Sequence, residues 1–224
     1  MTGGEYYRAT VAEVRARGNY FKAVRPDGYS FMGSPKKLYA IGKTTVADGD
    51  GTTLCRKGAL HISDAPSETL AGGEWPCRLF EVSGEIIAGF NDAHPHKGGA
   101  KSLRVVRELP VWMSLGPNGR AAAAFIELLP TLDVAALDAV RYAALDVVRY
   151  AALDAAWNAA LDAVRYAVRH AAWNAAWNAA RAIVVSDLIT PDQFATLYKP
   201  FADVLPIERV REHGIAMFPT EAQP

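Results

Sequence analysis

From Ala135 to Ala182 the chain repeats an eight-residue unit six times, reading AALDAVRY, AALDVVRY, AALDAAWN, AALDAVRY, AVRHAAWN and AAWNAARA. Alanine has the highest helix propensity of any residue, and leucine and arginine follow closely. No glycine or proline interrupts residues 131 to 190, so the repeat is expected to be α-helical. Asp138, Asp146 and Asp162 each precede an arginine by three residues (Arg141, Arg149 and Arg165), a spacing at which opposite charges meet on a helix surface.

The period also limits how such a helix can pack. Each octad divides into two tetrads, and four residues advance roughly 400° around an α-helix, so successive tetrads are rotated by about 40°. Leu137, Leu145, Leu153, Trp157, Leu161, Trp173 and Trp177 therefore spiral around the axis instead of lining one seam. One helix through all six octads would be roughly 72 Å long with apolar groups on every side. It would need either a fold-back into shorter helices packed through alanine or neighbouring protomers. A solenoid with four residues per side is disfavoured, because alanine and aspartate are poor strand formers.

The flanking segments read differently. Tyr7, Val11 and Val14 have helical spacing and meet Gly18-Asn19, which predicts a helix over 5–17. From Tyr20 to Pro110 short β-rich runs (YFKAV, KKLYAIGK, RLFEVSGEIIAGF and KSLRVVREL) are separated by PDG, DGDG, AGG and KGG. APSETLAG is the expected helix within this part, with Ser67 as its cap, and GPNG feeds a helix through AAAAFIELL that stops at Pro130. In the tail, Thr190-Pro191-Asp192-Gln193 reads as an N-cap, a proline at the first helical position and an acidic first turn. A second short helix over 203–213 is expected to end at Gly214, and Phe194, Leu197, Tyr198 and Phe201 form a docking face. The fold class is therefore α+β: an N-terminal helix (1–19), a domain with a small, mainly antiparallel sheet (20–115), an alanine-rich helical region (116–189) and a helical tail (190–224).

Lysine plus arginine and aspartate plus glutamate both number 24, so no net field draws the chain to nucleic acid or an anionic membrane. No apolar run approaches the ~20 residues needed to span a bilayer, and the N-terminus lacks a signal-peptide core. The chain is expected to be cytoplasmic, with Cys55 and Cys77 as thiols.

The strings FKAVRPDGYSF (21–31), LCRKGALHISDAPSETLAGGEWPCRLFEVSGEIIAG (54–89), HPHK (94–97) and LRVVRELPVWMSLGPNGR (103–120) together resemble a family of uncharacterised proteins from actinobacteria and their phages. That family commonly joins such a domain to a low-complexity repeat, and the resemblance implies a phage-related accessory protein without implying an activity. KGALHISDAPSETL followed by RLFEVSGEI also looks like the strand order of ADP-ribosyltransferase-type folds, in which such a strand borders the nicotinamide pocket. Against that likeness, LYAIGK ends in no histidine or arginine, and neither Glu81 nor Glu85 lies in a catalytic loop of that kind.

Three groups of residues could carry chemistry. Cys55, His61, Cys77, His94 and His96 are metal-capable, but their spacing matches no compact CxxC pattern, so the reading is small buried thiols, a strand histidine and a polar loop, with no metal or cofactor. His94-Pro95-His96-Lys97 followed by the glycines and Lys101 could bind an anion through exposed amides, although a solvated hairpin tip is the favoured reading. In the repeat, Tyr142, Tyr150, Trp157, Tyr166, Trp173 and Trp177 interleave with arginines whose charge the aspartates cancel, which favours self-association or a protein partner over nucleic acid. No G-x-S-x-G elbow or H-E-x-x-H motif is present. The expectation is a non-enzymatic interaction or scaffold protein whose repeat mediates assembly. The alternative is a ligand-binding or ADP-ribosyltransferase-like domain with a pocket around His61, Ser63, Glu81, His94, His96 and Lys97.

Overall fold

The computed structural model describes residues 1–49, 54, 58–133, 135–140 and 174–219, and the chain divides into two units, Met1–Pro117 and Asn118–Pro224. The first opens with α1 (Gly3–Ala16). The Thr2 hydroxyl accepts from the Glu5 amide at 3.2 Å and the Glu5 carboxylate from the Thr2 amide at 2.6 Å, a reciprocal cap that satisfies two otherwise orphaned N–H groups. Gly18, at φ +68°, ends the helix in the left-handed conformation that glycine adopts without strain.

Seven strands follow: β1 (Tyr20–Val24), β2 (Thr44–Val46), β3 (Leu60–Ser63), β4 (Arg78–Ser83), β5 (Ile86–Asn91), β6 (His94–Ala100) and β7 (Ser102–Leu109). They form one sheet in the order β2-β7-β4-β1-β3-β6-β5, and every pairing is antiparallel. One face carries a core of Val24, Tyr39, Leu60, Ile62, Phe80, Val82, Leu103 and Val105. Alternation along β4 sends Glu81 to the other face, where α1 is tied on by pairs from Arg17 to Glu81 and from Arg107 to Glu13.

Several local expectations change. KKLYAIGK contributes only the isolated bridge between Leu38 and Tyr29; Gly42, at φ +76°, turns the chain, and the strand forms after it at Thr44–Val46. The β-rich run RLFEVSGEIIAGF divides into two strands: β4 pairs with β1 and β7, whereas β5 pairs with β6 at the sheet edge. APSETLAG forms a short 3-10 helix, Pro66–Leu70, with no side-chain cap; the Ser67 hydroxyl instead lies 3.2 Å from that of Tyr7. HPHKGGA forms strand β6: His94 pairs with Asn91 beside the β5–β6 turn, where Pro95 and His96 are exposed, whereas Lys97–Ala100 run inside the sheet against β3. Its glycines serve packing: a Cβ on Gly98 would stand 2.2 Å from the Phe90 ring, which itself stacks on Tyr20 at 5.4 Å.

The second unit contains α2 (Gly119–Leu128) and helices at Pro191–Tyr198 and Ile207–Met217. Thr190 and Gln193 form a second reciprocal cap ahead of Pro191. The last helix does not stop at Gly214. That glycine sits inside the helix, where it passes α2 so closely that a Cβ would lie 2.8 Å from the Arg120 carbonyl oxygen. Of the tail's apolar face, Tyr198 and Phe201 are buried and pack on Phe125, with ring centroids 5.9 and 5.0 Å away. The octads are described only at their ends, where residues 135–140 and 174–182 are helical. Among the described residues no helix is long and apolar enough to cross a membrane.

Candidate functional site

Neighbouring strands in the sheet share several registered pairs, five between β1 and β4 and four between β3 and β6. Between β1 and β3 there is one, Phe21 with Ser63. Beyond it the ladder gives way, and the ammonium of Lys22 donates to the main-chain oxygen of His61 at 2.7 Å. A cavity of about 620 Å³ opens at this parting, walled by Lys22, Tyr39, His61 and Ser63, by Phe31 and Met32 of the β1–β2 connection, and by residues 94–97 of β6. Its volume is in the range typical of small-molecule sites.

Lys22 is the residue the sequence reading missed. It sits in the strand YFKAV, where four of five residues are buried, and it is itself only 9% exposed. Its nitrogen lies 4.7 Å from the centre of the Tyr39 ring. Among the described residues no carboxylate forms an ion pair with it. Burial, and then the neighbouring charge of Lys97, lower its pKa to about 8, because removal from water penalises the charged form. The available signal was a lysine at a strand position whose neighbours are all apolar or aromatic.

Of the expected ligand residues, His61, Ser63, His94, His96 and Lys97 do line the cavity. Burial lowers His61 to about 4, with further contributions from Lys97, Lys22 and His94, so its imidazole is neutral near pH 7. His96 is exposed and set by Asp64, 3.2 Å from its Nδ1; Arg15 of α1 fixes Asp64 in turn by donating to its main-chain oxygen at 3.0 Å. Glu81 does not belong to the site. It is fully buried under α1, accepting from Asn19 at 2.6 Å and from Arg107 at 2.6 Å. Burial pulls its pKa up, but the hydrogen bonds from Asn19 and Arg107 outweigh this and hold the carboxyl below the usual range.

The β1–β2 connection is shaped by its own hydrogen bonds. The Ser30 hydroxyl donates to Met32 O at 2.8 Å and accepts from the Lys37 amide at 3.0 Å, and Lys37 pairs with Asp48. Phe31 packs against Gly73, where a Cβ would meet its ring at 2.8 Å. The lining thus combines apolar and aromatic walls with three lysines, two acidic residues, of which Asp48 is engaged by Lys37, and three histidines.

No group of three or more metal-capable side chains is placed to hold an ion among the described residues. Cys77 is buried away from the histidines, its sulfur 3.5 Å from the Ser114 hydroxyl, and Cys55 lies outside the described residues. So do Tyr142, Tyr150, Trp157, Tyr166 and Trp173. Trp177 is half exposed, with the Arg181 guanidinium 5.6 Å from its ring centre. No family model, curated protein or solved structure matches the chain.

Proposed function

We propose that the N-terminal unit is a binding module for a small organic anion, held in the cavity between β1 and β3. One observation carries this reading: Lys22 is only 9% exposed and lines the cavity, and its ammonium has a carbonyl and an aromatic ring as neighbours in place of a carboxylate. Lowering a lysine from 10.5 to about 8 corresponds to roughly 3 kcal/mol of unfavourable burial at neutral pH. An apolar residue of similar length would avoid that penalty. An anion seated against Lys22 and Lys97 offsets it, and the apolar walls contributed by Phe31, Tyr39 and Leu60 suit a ligand with an organic body.

The test is calorimetric titration with phenyllactate, AMP and NAD, alongside native mass spectrometry of the purified protein. Saturable one-to-one binding of any of these, or a stoichiometric co-purified organic anion, weakened at least about tenfold in Lys22→Met, supports the proposal. No binding and no adduct overturn it. NAD is included because LHIS, part of the string resembling ADP-ribosyltransferases, forms a cavity wall; release of nicotinamide would move the reading to that class. Self-association or partner capture through the repeat stands as a separate proposal resting on the sequence pattern.

A further inference from the structure

We infer that Lys22 is a covalent capture residue, whose amine forms a reversible imine with the ketone or aldehyde carbon of a 2-oxo acid while the Lys97 side of the cavity holds the carboxylate. The inference rests on the anion-binding reading above and names the class of anion.

Placement carries the argument. A lysine that binds an anion only by charge works best hydrated at a rim, or beside a carboxylate that orients it. Lys22 is sunk in the wall with its nitrogen on a neutral carbonyl. That carbonyl accepts more strongly from an ammonium than from a neutral amine, but it accepts from both, so the contact orients the nitrogen in either state. Lys97 is the like charge close enough to act on it. Apolar burial and a neighbouring cation are the two conditions that generate nucleophilic lysines in proteins. Lys22 and Lys97 both line the cavity and the charge of one acts on the other, so a ligand that meets both carries an electrophilic carbon and an anionic group, and a 2-oxo acid is the simplest molecule that joins the two.

The chemistry balances with no further reagent. The Lys22 nitrogen lone pair forms a bond to the carbonyl carbon as the C=O π pair moves to oxygen; a proton passes from nitrogen to that oxygen, giving a carbinolamine. The hydroxyl then takes up a second proton and leaves as water, producing a protonated imine whose positive charge stands beside the ligand's carboxylate. Both protons exchange with solvent water, since the His61 ring, lowered to about 4, is neutral near pH 7. Near pH 7 about a tenth of Lys22 is the neutral amine, against less than roughly a thousandth of an ordinary lysine, so capture there runs roughly a hundredfold ahead of surface lysines.

The experiment incubates the full chain at pH 7 with glyoxylate, pyruvate or phenylpyruvate in the presence of cyanoborohydride, which reduces an imine to a stable secondary amine. Intact mass and peptide mapping follow, with phenyllactate titrated in parallel. The expected result is a single adduct, equal to the acid less one oxygen atom, mapped to Lys22. It is absent from Lys22→Arg and Lys22→Met, whose folding is checked by circular dichroism, and its rate rises with pH up to about 8 and then levels. No adduct with any of the three acids, or labelling spread over surface lysines and unchanged in the variants, overturns the inference. If phenyllactate still binds, the anion-binding reading survives that failure; if nothing binds, both fall.

Discussion

The Lys22 ammonium lies 2.7 Å from the main-chain oxygen of His61, at the seam where β1 and β3 share only the Phe21–Ser63 pair. A side chain thus stands in for the backbone ladder where the sheet parts. An intact ladder here would bury the edges of both strands; the parting leaves room for a cavity and places a charge in its wall. The arrangement is poor for stability and suited to recognition, an opposition common at functional sites.

Replacing Lys22 with Met should therefore stabilise the protein. The variant removes roughly 3 kcal/mol of charge burial and forfeits about 1 kcal/mol for the bond to His61 O, leaving a net gain of about 1–2 kcal/mol at pH 7. Urea unfolding should show a raised midpoint with an unchanged slope, and titration with phenyllactate should show affinity reduced by at least about tenfold. A less stable variant would mean that the ammonium is structural.

The pH dependence of stability has a defined sign. Burial lowers Lys22 to about 8 in the folded chain from its ordinary 10.5, so between these values the unfolded chain binds more protons and stability rises with pH. The penalty is fully present below about 8 and disappears toward 10.5. The stability advantage of Lys22→Met should accordingly shrink when unfolding is measured at pH 10 instead of pH 7. His61, lowered from 6.5 to about 4, acts in the same sense at the acidic end: stability falls as pH drops from 6.5 to 4, and no further below. Anion affinity should weaken as pH rises past about 8, where Lys22 loses its charge.

The sequence discloses the parts of this fold whose causes are local. Thr2, Glu5 and Gly18 bound the first helix, and Thr190, Pro191 and Gln193 open a later one, because caps and stops act within a turn or two. His61, Ser63, His94, His96 and Lys97 were grouped by chemical type and do share a cavity. Lys22 and Glu81 could not be sorted by type, since their roles depend on which sheet face each occupies and on where β1 and β3 part. Those are properties of strand order, and β1 meets β3 and β4, both distant in the chain. The HPHKGGA segment misled for a related reason: its paired glycines resemble a turn, whereas here they admit Phe90 and the neighbouring strands.

Glu81→Gln tests the separation of the two faces. The carboxylate is buried and bonded to Asn19, Arg107 and, at 3.5 Å, Arg17. Neutralising it leaves Arg107 and Arg17 without their shared buried partner, and the expected loss is about 2–4 kcal/mol. Its depressed pKa adds that wild-type stability falls as pH drops below the ordinary carboxylate range, a dependence the variant should lose. Phenyllactate affinity of the folded variant should stay within about twofold, since the change acts away from the cavity. A larger change would place Glu81 in the binding machinery after all.

Gly214→Ala sets packing against propensity in the second unit. Within a helix, alanine should stabilise by about 1 kcal/mol relative to glycine. At this position, however, the new Cβ would lie 2.8 Å from the Arg120 oxygen and 3.4 Å from the Ala124 Cβ. The first contact is with main chain inside α2, which cannot rotate away as a side chain can, so the helices must separate by a few tenths of an ångström. Overpacking of this kind costs about 1–3 kcal/mol, and the net effect should be destabilisation. Thermal unfolding of the full chain decides the sign: a lowered midpoint means the glycine is held by the close crossing with α2, whereas a raised one means that the two helices have room to spare.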